Sequence, residues 1–214
     1  GASLTDKAGG IVAGNTFDFP YVHGKALMAL GHSFCSVSRE AFCERRGWNC
    51  STADIICGKQ RTSIVGSGAM PARYSVFPEE LKSALKEWCG KGGNLLVSGA
   101  NIGSDERGSG FTESLLGYSC PPGPGTAAGI MGDMEFYSRP NSECYCVESP
   151  DALEPASRKA SVMLIYPLTN RPAAVSFKGK GYKTVSIGVP IETVKSESDR
   201  IKLLKESLQE LQTN

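Results

Sequence analysis

Apolar residues fall in short blocks along this chain, and the most informative block is Leu95, Leu96 and Val97. Gly92 and Gly93 precede it, and Ser98, Gly99, Ala100, Asn101 and Gly103 follow. An unbroken apolar run suits a strand covered on both faces, and the small residues after it let the backbone turn sharply. Ile11-Val12-Ala13 and Ala53 to Cys57 read as further strands, and Ser33 to Val37 has the pattern of another. Between them, Ala26, Leu27 and Leu30 share one face of a helix predicted over 23–30, with Gly31 as its stop. Ser38 is placed to cap a short helix that follows.

Pro78 opens the clearest helix, with Glu79 and Glu80 in the first turn, where the helix dipole favours negative charge. Phe77, Leu81, Ala84, Leu85 and Trp88 recur at helical spacing on one face of it. Strand and helix thus alternate through the first half, the pattern of a parallel sheet with crossover helices. Beyond Asp105 the character changes. Residues 106–130 are rich in Gly and Pro, with one short helix expected at 111–116. Strands are then predicted at 136–137, 145–147, 162–166, 173–177 and 182–187, the last two joined by a hairpin at Lys178-Gly179-Lys180-Gly181. Ile201, Leu204, Leu208 and Leu211 mark a closing helix over 198–211.

These 214 residues suffice for one domain with a sizeable core, here with a loop-rich insertion at about 106–160. Lys and Arg number 23 against 22 Asp and Glu, and a net charge of +1 argues against electrostatic nucleic-acid binding. No apolar run approaches the length needed to span a bilayer. The opening Gly1-Ala2-Ser3, without a Met, suggests a piece of a larger multidomain protein. Eight cysteines include no CxxC pair, and with only two histidines a structural zinc site is not expected. Their even number permits disulfides, while Cys57 and Cys89 lie in apolar settings that suit buried thiols.

If the strands are parallel, their carboxyl ends gather the polar residues into one crevice. Asn15, Asp18 and His23, then Lys59 and Gln60, then Ser98, Asn101 and Asp105, and finally Glu192 stand at such positions. Asp18, His23, Asp105 and Glu192 would suit acid–base work, Ser98 is a candidate nucleophile, and Asn15, Lys59, Gln60 and Asn101 are candidate ligand-binding groups. Against this, Asn and Asp at turns commonly bond their own backbone. Ser98 also lacks the GxSxG setting of a nucleophile elbow. No cofactor or metal is called for by any motif, and no Gly-rich phosphate loop opens a helix.

The run Ala13-Gly14-Asn15-Thr16-Phe17-Asp18-Phe19-Pro20-Tyr21-Val22-His23-Gly24 resembles a signature of large exported Bacteroidetes proteins assigned as xanthan lyases or N-acetylmuramoyl-L-alanine amidases. Residues 56–60, 92–105 and 187–193 match further pieces of that family in the same order. The resemblance implies a class I glutamine-amidotransferase-like, flavodoxin-like α/β domain. Such a fold is a three-layer sandwich on a mainly parallel sheet, here with an added β-hairpin region. It also implies secretion, to the periplasm or cell surface, and partners among the other domains of the parent chain, with polysaccharide or peptidoglycan as the material worked on.

In amidotransferases a Cys on the turn after the central strand pairs with a downstream His. Here that turn is Ser98-Gly99-Ala100-Asn101, and no histidine follows His32. The expected function is therefore a non-catalytic scaffold or binding module of an exported polysaccharide- or cell-wall-degrading protein. The alternative is a hydrolase or lyase acting on glycan or peptidoglycan through its carboxylates and His23, with or without a metal.

Overall fold

The structure is a computed structural model that describes residues 3–5, 11–16, 19–44, 48, 50–57, 75–139 and 146–213, with side chains from residue 20 onward. Strands β1 (Ser3–Thr5) and β2 (Ile11–Thr16) pair antiparallel with each other. Helix α1 (Phe19–Ala29) begins four residues before the predicted start, because Pro20 fits a first helical turn, where its missing N–H costs nothing. Gly31 ends it at φ 79°, a left-handed conformation that glycine adopts without strain. The segment 33–37 is irregular rather than a strand, and Phe34 and Val37 are exposed, with no strand paired to them among the described residues. Helix α2 (Arg39–Glu44) follows, its start capped by the Ser38 hydroxyl accepting from the Ala41 N–H.

Strand β3 (Thr52–Cys57), helix α3 (Glu79–Gly90) and strand β4 (Asn94–Gly99) form the parallel unit that the alternation predicts. After a 3-10 turn at Ser104–Glu106 and a π turn at Thr112–Leu116 come four two-residue strands. They are β5 (Tyr118–Ser119), β6 (Ile130–Met131), β7 (Met134–Glu135) and β8 (Glu154–Pro155), paired β5 with β8 and β6 with β7. The longer strands β9 (Ala160–Tyr166), β10 (Arg171–Lys178) and β11 (Lys183–Ile187) lead through a 3-10 turn at Ile191–Thr193 to helix α4 (Glu197–Gln212). Of the strand predicted at 136–137, only a bridge from Phe136 to Val194 forms.

The main sheet has the order β3-β4-β11-β10-β9. β3 and β11 run parallel to β4, but β10 is antiparallel to both β11 and β9. This overturns the expectation of a flavodoxin-like three-layer sandwich on a mainly parallel sheet. The sheet is mixed, accompanied among the described residues by three small two-stranded sheets and few helices. The cause is connection length. Parallel neighbours need a crossover of a dozen or more residues, whereas β9–β10 and β10–β11 are joined by tight turns. The first turn holds Asn170 at φ 54° and the second Gly181 at φ 83°, so both reverse the chain at once.

Apolar residues pack on both faces. On one, Leu96, Val185 and Ile187 meet Ala26 of α1 and Leu203, Leu204 and Leu211 of α4. On the other, Leu95, Val97 and Val175 meet Phe77, Leu81, Leu85 and Cys89 around α3, with Phe111, Leu115 and Leu116 from the loop-rich segment. Among the described residues no helix is long and apolar enough to cross a membrane.

Candidate functional site

One group of polar residues meets inside the fold on the α1–α4 face. His23 lies early in α1, and the helix's packing on this face sinks its imidazole to 2% exposure. Beneath it, Asp54 of β3 shares the sheet face of Leu96, its lateral neighbour in register. Glu192 enters from the turn after β11, where the backbone is pinned by Thr193 and Val194 N–H groups donating to Pro190 and Ile191 carbonyls. His23 Nδ1 lies 2.6 Å from Asp54 Oδ2, and Nε2 lies 3.3 Å from Glu192 Oε2. Residues 31 and 169 positions from His23 thus clasp its two ring nitrogens.

Burial by itself lowers the pKa of a histidine. Here the charge and hydrogen bond of Asp54, reinforced by Glu192, outweigh burial and raise His23 to about 10. At neutral pH the ring is an imidazolium donating from both nitrogens. Such a ring offers no lone pair to a metal or to a substrate proton. Among the described residues no three His, Cys, Asp or Glu side chains are arranged to hold a metal ion.

Cys57 ends β3 three residues beyond Asp54, so the strand's alternation points it to the opposite face, where it packs with the α3 cluster. Burial, then the negative charges of Glu192 and Asp54, push its thiol up to about 12. A Cys whose thiol holds its proton, facing away from the imidazole, is a packing residue rather than an activated nucleophile.

Ser98 shares the sheet face of Asp54, is fully buried, and its hydroxyl has no hydrogen-bond partner among the described residues. Asn101 is half-buried in the turn beyond β4, its carbonyl accepting from the Asp105 N–H at 3.4 Å. Asp105 itself is exposed on the 3-10 turn. The backbone of Asn15 lies in β2, while Asp18, Lys59 and Gln60 fall outside the described residues. Of the predicted acid–base set, the fold therefore brings His23 and Glu192 together.

Asp54 is the member that sequence reading misses. The available signal was a single carboxylate between Ala53 and Ile55-Ile56, in a run otherwise apolar enough for a buried strand. A second missed carboxylate, Asp151, is buried and accepts from the Gly103 and Ser104 N–H groups at 2.8 and 2.9 Å, holding the turn after β4. Its burial raises its pKa against the lowering effect of those bonds.

No protein-family profile and no curated protein sequence matches the chain. Among solved structures it is similar to exo-beta-1,4-mannosidase Op5Man5 from Opitutaceae bacterium strain TAV5. The identity is 16% and the TM-score 0.41, over 62% of this chain and 21% of the mannosidase. It is also similar to the mmIFT52 N-terminal domain, at 16% identity and TM-score 0.42, over 64% of this chain and 73% of that one. The chain thus spans about a fifth of the mannosidase's length.

Proposed function

We propose that this domain is a non-catalytic scaffold or binding module of an exported protein that works on polysaccharide or the cell wall, as its motif resemblance to xanthan lyase- and amidase-type proteins implies. The observation that carries the reading is the closed state of the His23 group. Both ring nitrogens are bonded to carboxylates and the ring is almost fully buried, so its acid–base capacity is spent inside the fold. General acid–base catalysis needs such a group within hydrogen-bond reach of substrate. In this reading the remaining domains of the parent chain carry the chemistry, outside the cytoplasm.

A second reading is a hydrolase or lyase acting on glycan or peptidoglycan through the same carboxylate–histidine group. It is favoured by one observation: Asp54 Oδ1 and the Ser98 hydroxyl are buried on the same sheet face, with no hydrogen-bond partner among the described residues. Incubation of the purified chain with xanthan and with peptidoglycan fragments, followed by product chromatography, separates the two. The module reading expects no product from the native chain or from His23→Gln. Product released by the native chain and lost in a folded His23→Gln variant would establish the enzyme instead.

A further inference from the structure

At the opposite end of β11 from Glu192, the α4 face of the sheet carries a half-open surface cavity of about 570 Å³. Arg158, Lys159, Lys178 and Lys183 line it, against a single carboxylate, Glu210. That excess stands out on a chain whose net charge is only +1. Ser161 and Ser176 add hydroxyls to the wall, and they are direct cross-strand neighbours in the β9–β10 register.

Two features set these cations apart from ordinary paired surface charges. Lys178 and Lys183 are directly opposite each other across the antiparallel β10–β11 pair, an arrangement in which like charges destabilise the sheet. Lys183 is partly accounted for, since its ammonium donates to the Glu210 carbonyl at 3.1 Å and to the Thr213 carbonyl at the end of α4. Arg158, Lys159 and Lys178, by contrast, have no carboxylate partner among the described residues, and all three are exposed.

We propose that this cavity binds an oxyanion, held by Lys178 and Arg158 with the serine hydroxyls as further donors. A guanidinium and an ammonium beside hydroxyl groups are the donors that recognise phosphate, sulfate or carboxylate oxygens. The cavity is half open to solvent, so the anion it holds can be free or carried on a small acidic sugar. A bound anion also removes the repulsion between Lys178 and Lys183, which ties occupancy to stability. The site is remote from His23 and does not rest on the module reading.

Calorimetric titration of the purified chain with inorganic phosphate, inorganic sulfate and trigalacturonic acid tests this, with neutral maltotriose as control. Saturable binding of at least one anion is expected, weakening as salt rises, with no response to maltotriose. Which of the three binds tells a free anion from an acidic saccharide. Lys178→Gln and Arg158→Gln should each weaken that binding by about tenfold, the size of one lost charge-assisted hydrogen bond. Lys202→Gln, which removes a remote exposed pair with Asp133, should leave it unchanged. Without ligand, Lys178→Gln should melt no lower than the native chain. Failure of all three anions to bind, binding indifferent to both variants, or a lower Tm for ligand-free Lys178→Gln would overturn the proposal.

Discussion

His23 ties α1 to β3 and to the turn after β11 from inside the fold. A buried imidazolium between two carboxylates stabilises the fold only while it keeps its proton. Its folded pKa, about 10, lies above the ordinary value of 6.5. The stabilisation is therefore fully present below pH 6.5 and is lost as pH rises towards 10. Over that window the native chain should lose on the order of a few kcal/mol, measured by urea unfolding at a series of pH values. His23→Gln should be less stable at pH 6 and should show a much flatter profile. A native profile as flat as the variant's would mean that the ring is neutral in the fold. His23 and Glu192 stand out in the sequence as polar residues at turns, but their meeting does not, because 169 positions separate them. Asp54 is harder still to read, since its strand pattern advertises apolar burial and hides one of the two carboxylates that hold the imidazole.

At the scale of elements, local signals read well wherever the chain itself satisfies the backbone. Helix α4 is the clearest case. Its apolar stripe is predicted by spacing, and Ser196 begins it by accepting from the Asp199 N–H at 3.3 Å. Ser196→Ala should cost about 1 kcal/mol by thermal unfolding, the usual price of a lost N-cap. A cost near zero would mean that Glu197 and Asp199 in the first turn suffice to start the helix. Strands read less well. Among the described residues the segment 33–37 has a strand's pattern but no partner strand, and the pattern at 136–137 yields only one bridge. A strand is completed by another strand's hydrogen bonds, so its own residues can propose it but not secure it. The amino end of β4 shows the same dependence. Asn94 donates from its side chain to the Leu211 carbonyl and accepts from the Lys183 N–H, joining three elements that are remote in sequence.

For the whole molecule, the two packed faces set which groups solvent can reach. Cys35 and Cys50 are exposed, whereas Cys89 is 1% exposed, and burial pushes its thiol up to about 12. Alkylation followed by peptide mass spectrometry should label Cys35 and Cys50 first. Cys89 should react only under conditions that unfold the chain, and its early labelling would mean that the α3 face opens locally. Sequence by itself determined the helices, the β3–α3–β4 unit and the β10–β11 hairpin. Each of these is written in periodicity or in turn residues. Tertiary structure alone decided the strand order, the mixed polarity of the sheet, the clasp of His23 by Asp54 and Glu192, and the gathering of cations beside Lys178. These depend on which distant segments lie side by side, and that is settled by burial summed over the whole chain rather than by any local pattern.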